Sequence, residues 1–301
     1  MAVQQEIWVK YITDRLWKEN KFLGLSFNED QYVVAGRVVH IPQPGAKPTV
    51  VKNRSSFPAA AVRRTDTDIT YVLDEYTTDP AHIQDAEKVE LSYDKIASVF
   101  GDHAGQLIET VADDMLIKWL TGIGAGSIVN TTGAASAAKI AGQTGTRKVF
   151  THADLKAAKL KLDLQNQPAI DRYALLEANA ADELFESLTA TQYRDFSQYA
   201  DAKTGIVGKL FGFDIMVRSN VAIASSANAI NPLGASVAAT DNVVNLVWQK
   251  NAITRALGEQ KFFEDKNNPL YFGDIYSSLI RMGGRRRRAD DAGVVAIVQG
   301  A

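Results

Sequence analysis

Apolar residues recur at three- and four-residue steps from Val3 to Leu23, where Trp8, Ile12 and Leu16 share a stripe with Ile7 and Tyr11 beside it. That spacing predicts an amphipathic helix, and Gly24 supplies its stop. From Gln31 the period changes. The run QYVVAGRVVHI is rich in β-branched residues and predicts strand, and DITYVLDEYT, residues 68–77, predicts a second. Between them Pro42, Pro44, Gly45, Pro48 and Pro58 interrupt any regular element. Two strands flanking so long an irregular excursion predict a hairpin arm reaching away from the body, with TVVKNR adding strand at its edge.

From Ser92 to Leu120 the apolar positions Ile96, Phe100, Leu107, Val111, Met115 and Trp119 form a stripe that no proline interrupts. At 1.5 Å per residue this is one helix of about 43 Å. Thr121 and Gly122 end it, and the Gly-, Ala-, Ser- and Thr-rich stretch to Thr146 reads as a mobile connection or surface loop that marks a domain boundary. Thr151 then caps a helix carrying Leu155, Ala158, Leu162 and Leu164. Arg172 to Ala178 reads as a buried strand, Ala181 to Leu188 as a helix, and GIVGKLFGFDIMVRSNV as an alternating strand with glycines. A last block opens with VVNLVWQKNAITRAL and ends in AGVVAIVQG. Helices and strands in irregular order make the class α+β.

Composition narrows the function more than the fold. A chain of 301 residues with 46% hydrophobic content can bury a sizeable core. Its 33 basic and 35 acidic side chains nearly cancel, so the molecule as a whole is not built to bind nucleic acid or a membrane surface. The absence of cysteine excludes disulfides, thiolate metal sites and a cysteine nucleophile, and suits synthesis in a reducing cytoplasm. No apolar run approaches the roughly 20 residues of a membrane helix, and nothing marks secretion.

No catalytic constellation emerges, so no catalytic, cofactor-binding or metal-binding residue is singled out. His40, His82, His103 and His152 stand in separate segments, with no pair at the spacing that puts two ligands on one helix face. The glycines of GIGAGS follow a helix rather than a strand and lack the third glycine of a dinucleotide loop. In GIVGKLFG, Leu210 stands where a phosphate loop needs Ser or Thr. No serine sits in a Gly-x-Ser-x-Gly elbow. The strongest charge feature is Arg281 followed by Arg285, Arg286, Arg287 and Arg288, a cluster suited to phosphates, to a neighbouring subunit or to a solvated turn beside Asp290 and Asp291. Within the arm the signs separate. Lys47, Lys52, Arg54, Arg63 and Arg64 come first, then Asp66, Asp68, Asp74, Glu75 and Asp79, an order suited to complementary patches on other molecules.

The order of parts, with VVHIPQPGAKPTVVKNRSSFPAAAVRRTDTDITYVLDEYTTDP in the arm, GIVGKLFGFDIMVRSNV in the middle and VWQKNAITRAL in the last block, resembles the tailed-bacteriophage major capsid (coat) proteins of the Hong Kong 97-type fold. That resemblance implies an N-terminal arm over residues 1–28, an extended β-hairpin loop over 29–80, a peripheral domain with a long spine helix from 81–146 and 241–301, and an axial domain from 147–240. It implies a structural protein, not an enzyme, that self-assembles through hexamers and pentamers into an icosahedral shell around double-stranded DNA. The implied partners are other copies of itself, a scaffolding protein, a portal and packaged DNA held non-specifically, with no membrane and no cofactor. The implied place is the virion, assembled in the host cytoplasm. Lys47, Lys52, Arg54, Phe57, Arg63, Arg64, Asp66 and Asp68 are then the expected intersubunit contacts, and Arg285 to Arg288 a contact to DNA or a neighbour. An encapsulin-type nanocompartment shell is the alternative within the same fold. An enzyme with an unrecognised site around Asp171 to Asp195, or a nucleic-acid-binding protein using the arginine cluster, are alternatives of other classes.

Overall fold

The structure is a computed structural model that describes residues 2–34, 37–45, 48–55, 57–59, 61–85 and 95–300. Its centre is a seven-stranded mixed sheet. The strands run in the order Gly208–Leu210, Phe213–Arg218, Arg172–Glu177, Asn242–Gln249, Val294–Val298 and Ile128–Asn130, and Ala222–Ala224 also pairs with Asn242–Gln249. Every residue of Arg172–Glu177, Asn242–Gln249 and Val294–Val298 is buried. Strands covered on both faces carry near-continuous apolar runs, as these do. Successive side chains still separate by face. Leu175, Leu246, Trp248, Val294 and Ala296 meet the helix Lys95–Leu120, whereas Ala174, Leu176, Val247, Val295 and Ile297 meet the helices His152–Leu164, Ala178–Glu186 and Ala190–Ser197.

The helix Lys95–Leu120 buries Phe100, Leu107, Val111, Met115 and Trp119 of the expected stripe, and Ile108 and Leu116 besides. The start expected at Ser92 lies outside the described residues. Trp119 Nε1 donates to the Thr254 carbonyl at 2.9 Å, tying the helix to the second sheet. The N-terminal helix Ala2–Glu19 packs Ile12 and Leu16 into the same core, and the turn Lys21–Leu25 adds Phe22 and Leu23.

The second sheet is built on the long antiparallel hairpin Thr254–Asn268 and Gly273–Gly283. Asp74–Thr77 and Ala81–Gln84 pair with its outer strand, and Phe27–Asn28 runs parallel to its inner one. Gly284 marks a close approach. A Cβ there would clash with Met115 Cε and the Thr254 carbonyl.

The expected arm is present as the antiparallel pair Val38–Gln43 and Thr67–Val72. Beyond Gln43, residues 48–55, 57–59 and 61–66 carry no strand, so the strand expected over Thr49–Arg54 is corrected to an irregular segment with a turn at Lys52 and Asn53. Asn53 takes a left-handed conformation with φ of 53°, which ends any extended run. The stretch expected as a mobile connection is also corrected. Ile128–Asn130 joins the central sheet parallel to Val294–Val298, and Ala135–Ala137 pairs with Thr146–Lys148. Small polar residues here make short strands because each backbone finds a partner edge, a tertiary effect that composition does not carry. The boundaries drawn at 147 and 241 cut across the sheets. Asn242–Gln249 and Val294–Val298 belong with Arg172–Glu177 in the central sheet, whereas Thr254–Gly283 belongs with the strands after the arm.

Candidate assembly surfaces

The arm is anchored firmly at its base and left bare beyond it. Its strand Thr67–Val72 directs Tyr71 inward, where the hydroxyl donates to Glu29 at 3.1 Å. Glu29 is almost fully buried, and that desolvation pushes its carboxyl above the ordinary range while Tyr71 and Arg287 pull the other way. Gln43 Nε2 donates to the Arg287 carbonyl at 2.6 Å, and Arg285 reaches the Thr70 carbonyl at 3.4 Å.

Outward from there the sequence-derived contact residues divide. Arg64 pairs with Asp66 at 2.6 Å and holds that carboxyl below its ordinary value, and Asp66 also accepts from the Gly45 amide. His40 lies 2.9 Å from Asp68. Arg64, Asp66 and Asp68 are therefore engaged within the arm. Lys52, Arg54 and Arg63 form no ion pair among the described residues, Phe57 is 78% exposed, and Val50 and Val62 are nearly bare. Lys47 lies outside the described residues. The free surface of the arm is thus cationic and apolar together, a pairing suited to contact with a partner rather than to water alone.

The arginines of the cluster take separate places. Arg286 is turned inward, pairing with Asp291 at 2.5 Å and donating to the Trp119 and Thr121 carbonyls at 2.9 and 2.8 Å. These carbonyls belong to the end of the long helix, where backbone acceptors lack partners and a cation is favoured. Arg287 lies over the Phe27 ring at 4.0 Å and near Glu29 at 3.8 Å. Arg281 pairs with Glu75 and Glu259. Only Arg285 and Arg288 are exposed. The physical reason is the path of the chain. The strand ending at Gly283 and the strand beginning at Val294 both belong to the body, so the connection is held against it at Arg286 and Arg287 while Arg285 and Arg288 stay exposed.

A second surface was not singled out from sequence. At the tip of the long hairpin Leu270, Tyr271 and Phe272 are 83%, 52% and 79% exposed. Three apolar residues between Asn268 and Gly273, where turn chemistry calls for polar ones, were the available signal.

The histidines stay apart. His152 approaches Ser187, His82 stacks near Tyr271 and His40 meets Asp68. Among the described residues no group of three or more His, Asp or Glu side chains is placed to hold a metal ion. Around Asp171 to Asp195 the buried carboxylate Glu183 pairs with Lys139 and accepts from the Phe150 amide, a structural assignment. An open cleft of about 820 Å³ separates the arm base from the lobe, walled by Pro42, Pro44, Pro48 and Pro168 with Arg64 and Arg287.

No protein-family model matches the sequence, and no curated protein matches it. Solved structures do match over nearly the whole chain. A capsid chain of Ralstonia phage GP4 superposes with a TM-score of 0.63 at 13% identity, covering 92% of this chain and 87% of that one. A capsid chain of cyanophage P-SCSP1u gives 0.61 at 18% identity, with 91% and 86% covered. A chain of Mycobacterium phage Che8 gives 0.59 at 18% identity, with 92% and 90% covered. The fold is the mixed helix-and-sheet architecture of the GP4 and P-SCSP1u capsid chains, the Hong Kong 97-type fold expected from the order of segments.

Proposed function

We propose that this chain is the major capsid protein of a tailed bacteriophage, assembling through hexamers and pentamers into an icosahedral shell around double-stranded DNA. The observation that carries the reading is the match to phage capsid chains over more than nine-tenths of this sequence. It is supported by an arm whose base is built into the body and whose outer part exposes Lys52, Arg54, Phe57 and Arg63. Such a part contributes little to its own chain and much to a neighbour. The central sheet with the helices His152–Leu164, Ala178–Glu186 and Ala190–Ser197 is read as the axial domain, and the long hairpin with the helix Lys95–Leu120 as the peripheral one. A scaffolding protein and a portal are the partners such assembly calls for, the host cytoplasm is where it takes place, and the virion is where the chain ends up. Exposed Arg285 and Arg288 are the members of the arginine cluster left to meet DNA or a neighbour, and a structural role needs no enzymatic site.

The test is assembly of the purified chain, alone and with its scaffold, followed by negative-stain microscopy and light scattering. Closed particles or rings are expected. Deleting Gln43 to Thr67 should abolish them while leaving the circular dichroism of the body intact. A chain that stays monomeric under every assembly condition, or a deletion that unfolds the body, overturns the reading.

A further inference from the structure

Beneath the base of the arm one carboxylate, Glu29, is sealed from solvent, its side chain only 3% exposed. Three separate parts of the chain meet on it. The arm reaches it through Tyr71, whose hydroxyl donates at 3.1 Å. The connection after Gly283 brings Arg287, but that guanidinium lies over the Phe27 ring and stops 3.8 Å from the carboxylate, too far for a hydrogen bond. The second sheet supplies the Thr254 hydroxyl, which is shared between Glu29 and the Arg285 carbonyl. A buried carboxylate compensated so thinly is costly in its charged form.

The other charged groups nearby are turned elsewhere. Asp30 accepts from the Leu257 amide, Arg255 lies over the Trp17 ring at 4.0 Å, and Arg285 is directed at the Thr70 carbonyl. On the arm, His40 and Asp68 pair with each other on the exposed side, and Arg64 and Asp66 pair farther out. Burial pushes the Tyr71 hydroxyl up, so it remains a donor at any ordinary pH. The rest of the arm's hold on the body is modest. Val39 and Leu73 pack on Ala256, and Gln43 donates to the Arg287 carbonyl.

We propose that Glu29 is a proton-controlled latch for the arm: protonated, it lets the arm seat on the body, and ionised, it favours the arm lifted away. Lifting takes Tyr71 off the carboxyl and lets water reach it, which returns the group to the ordinary carboxylate range. Seated, the same group titrates higher, because desolvation outweighs the pull of Tyr71 and Arg287. By linkage, the seated arm binds the proton more tightly, so acid shifts the population toward it. That gain is complete below 4.5 and is lost as pH rises through the seated value. The latch works within one chain, whether or not that chain joins a shell.

The chain has no cysteine, so introduced ones report without background. Val39→Cys and Ala256→Cys, on the arm and body sides of the buried contact, each report lifting in the full-length chain through reaction with dithiodipyridine, a reagent that stays reactive in acid. Either suffices where the other disturbs the packing. The rate at each pH is divided by that of the same chain denatured in urea, with circular dichroism confirming the fold throughout. The ratio should be lowest in acid and climb about twofold or more by about pH 8. With Glu29→Gln added, which stays neutral, it should be low and flat. A flat ratio in the parent overturns the latch. So does a climb that survives Glu29→Gln, which would assign the response to His40 and Asp68. Reactivity equal to the denatured chain at every pH would show an arm that never seats, and overturns it as well.

Discussion

Arg286 separates a structural arginine from a DNA-facing one. Replacing it with Met keeps most of the stem volume and removes the guanidinium that serves the Trp119 and Thr121 carbonyls and Asp291. Hydrogen bonds to a charged group contribute about 1.5–3 kcal/mol, and breaking a largely buried ion pair costs about 3–5 kcal/mol. The Arg286 and Asp291 side chains are 11% and 13% exposed, so little solvent screening applies. Asp291 keeps the Gly124 amide as a donor at 2.8 Å, which places the loss toward the lower end of that range. Arg286→Met should therefore cost about 3 kcal/mol, a fall in Tm of roughly 5 °C for a chain of this size. Urea denaturation followed by tryptophan fluorescence reads it, with Trp119 itself reporting from the end of the helix. Arg288→Ala, exposed and without an ion pair among the described residues, should stay within about 0.5 kcal/mol of the parent chain. The reasoning is refuted if Arg286→Met is as stable as the parent and instead loses affinity for DNA fragments.

Other expectations follow from the same contacts. Glu29→Gln removes a carboxyl whose folded value lies above the usual 4.5, so the parent should gain stability relative to the variant as pH falls through that raised value and level off below 4.5, read as Tm against pH. A flat difference would remove Glu29 from the account of the arm base. Gly284→Ala should destabilise by about 1–3 kcal/mol in denaturant, because the hairpin and the helix end have no room for a methyl there. Lys52→Glu together with Arg54→Glu should leave the unfolding free energy within about 0.5 kcal/mol of the parent and slow particle formation in light scattering, most strongly at low salt. Equal assembly rates would show that the cationic side of the arm meets no acidic partner.

Much of the fold was legible because its elements carry strong periodic signals. The stripe from Phe100 to Trp119 allows one assignment, whereas the continuous apolar run of Asn242–Gln249 has no period to choose between buried strand and buried helix. The strand Ile128–Asn130 was hidden because its three residues form strand only beside Val294–Val298, a partner far away in sequence. The same limit applies to the assembly surfaces. The positive run of the arm was readable from the order of its residues. The inward turn of Arg286 and Arg287 was not, since a run of four arginines shows no face until both flanking strands are fixed. Leu160 and Leu164, exposed on the helix His152–Leu164, were hidden for another reason. On a helix already known to bury Leu155 and Leu162, further leucines read as more core until the sheet shows which side it covers.

The placing of Val294–Val298 between Asn242–Gln249 and Ile128–Asn130 bears on how the chain is made. Roughly 170 residues separate that strand from its parallel partner, a contact that local folding cannot form early. A ribosome that stalls before residue 294 releases a lobe with two apolar strand edges open, a species prone to aggregate and offered to proteases. Quality control on chain length is thus written into strand order.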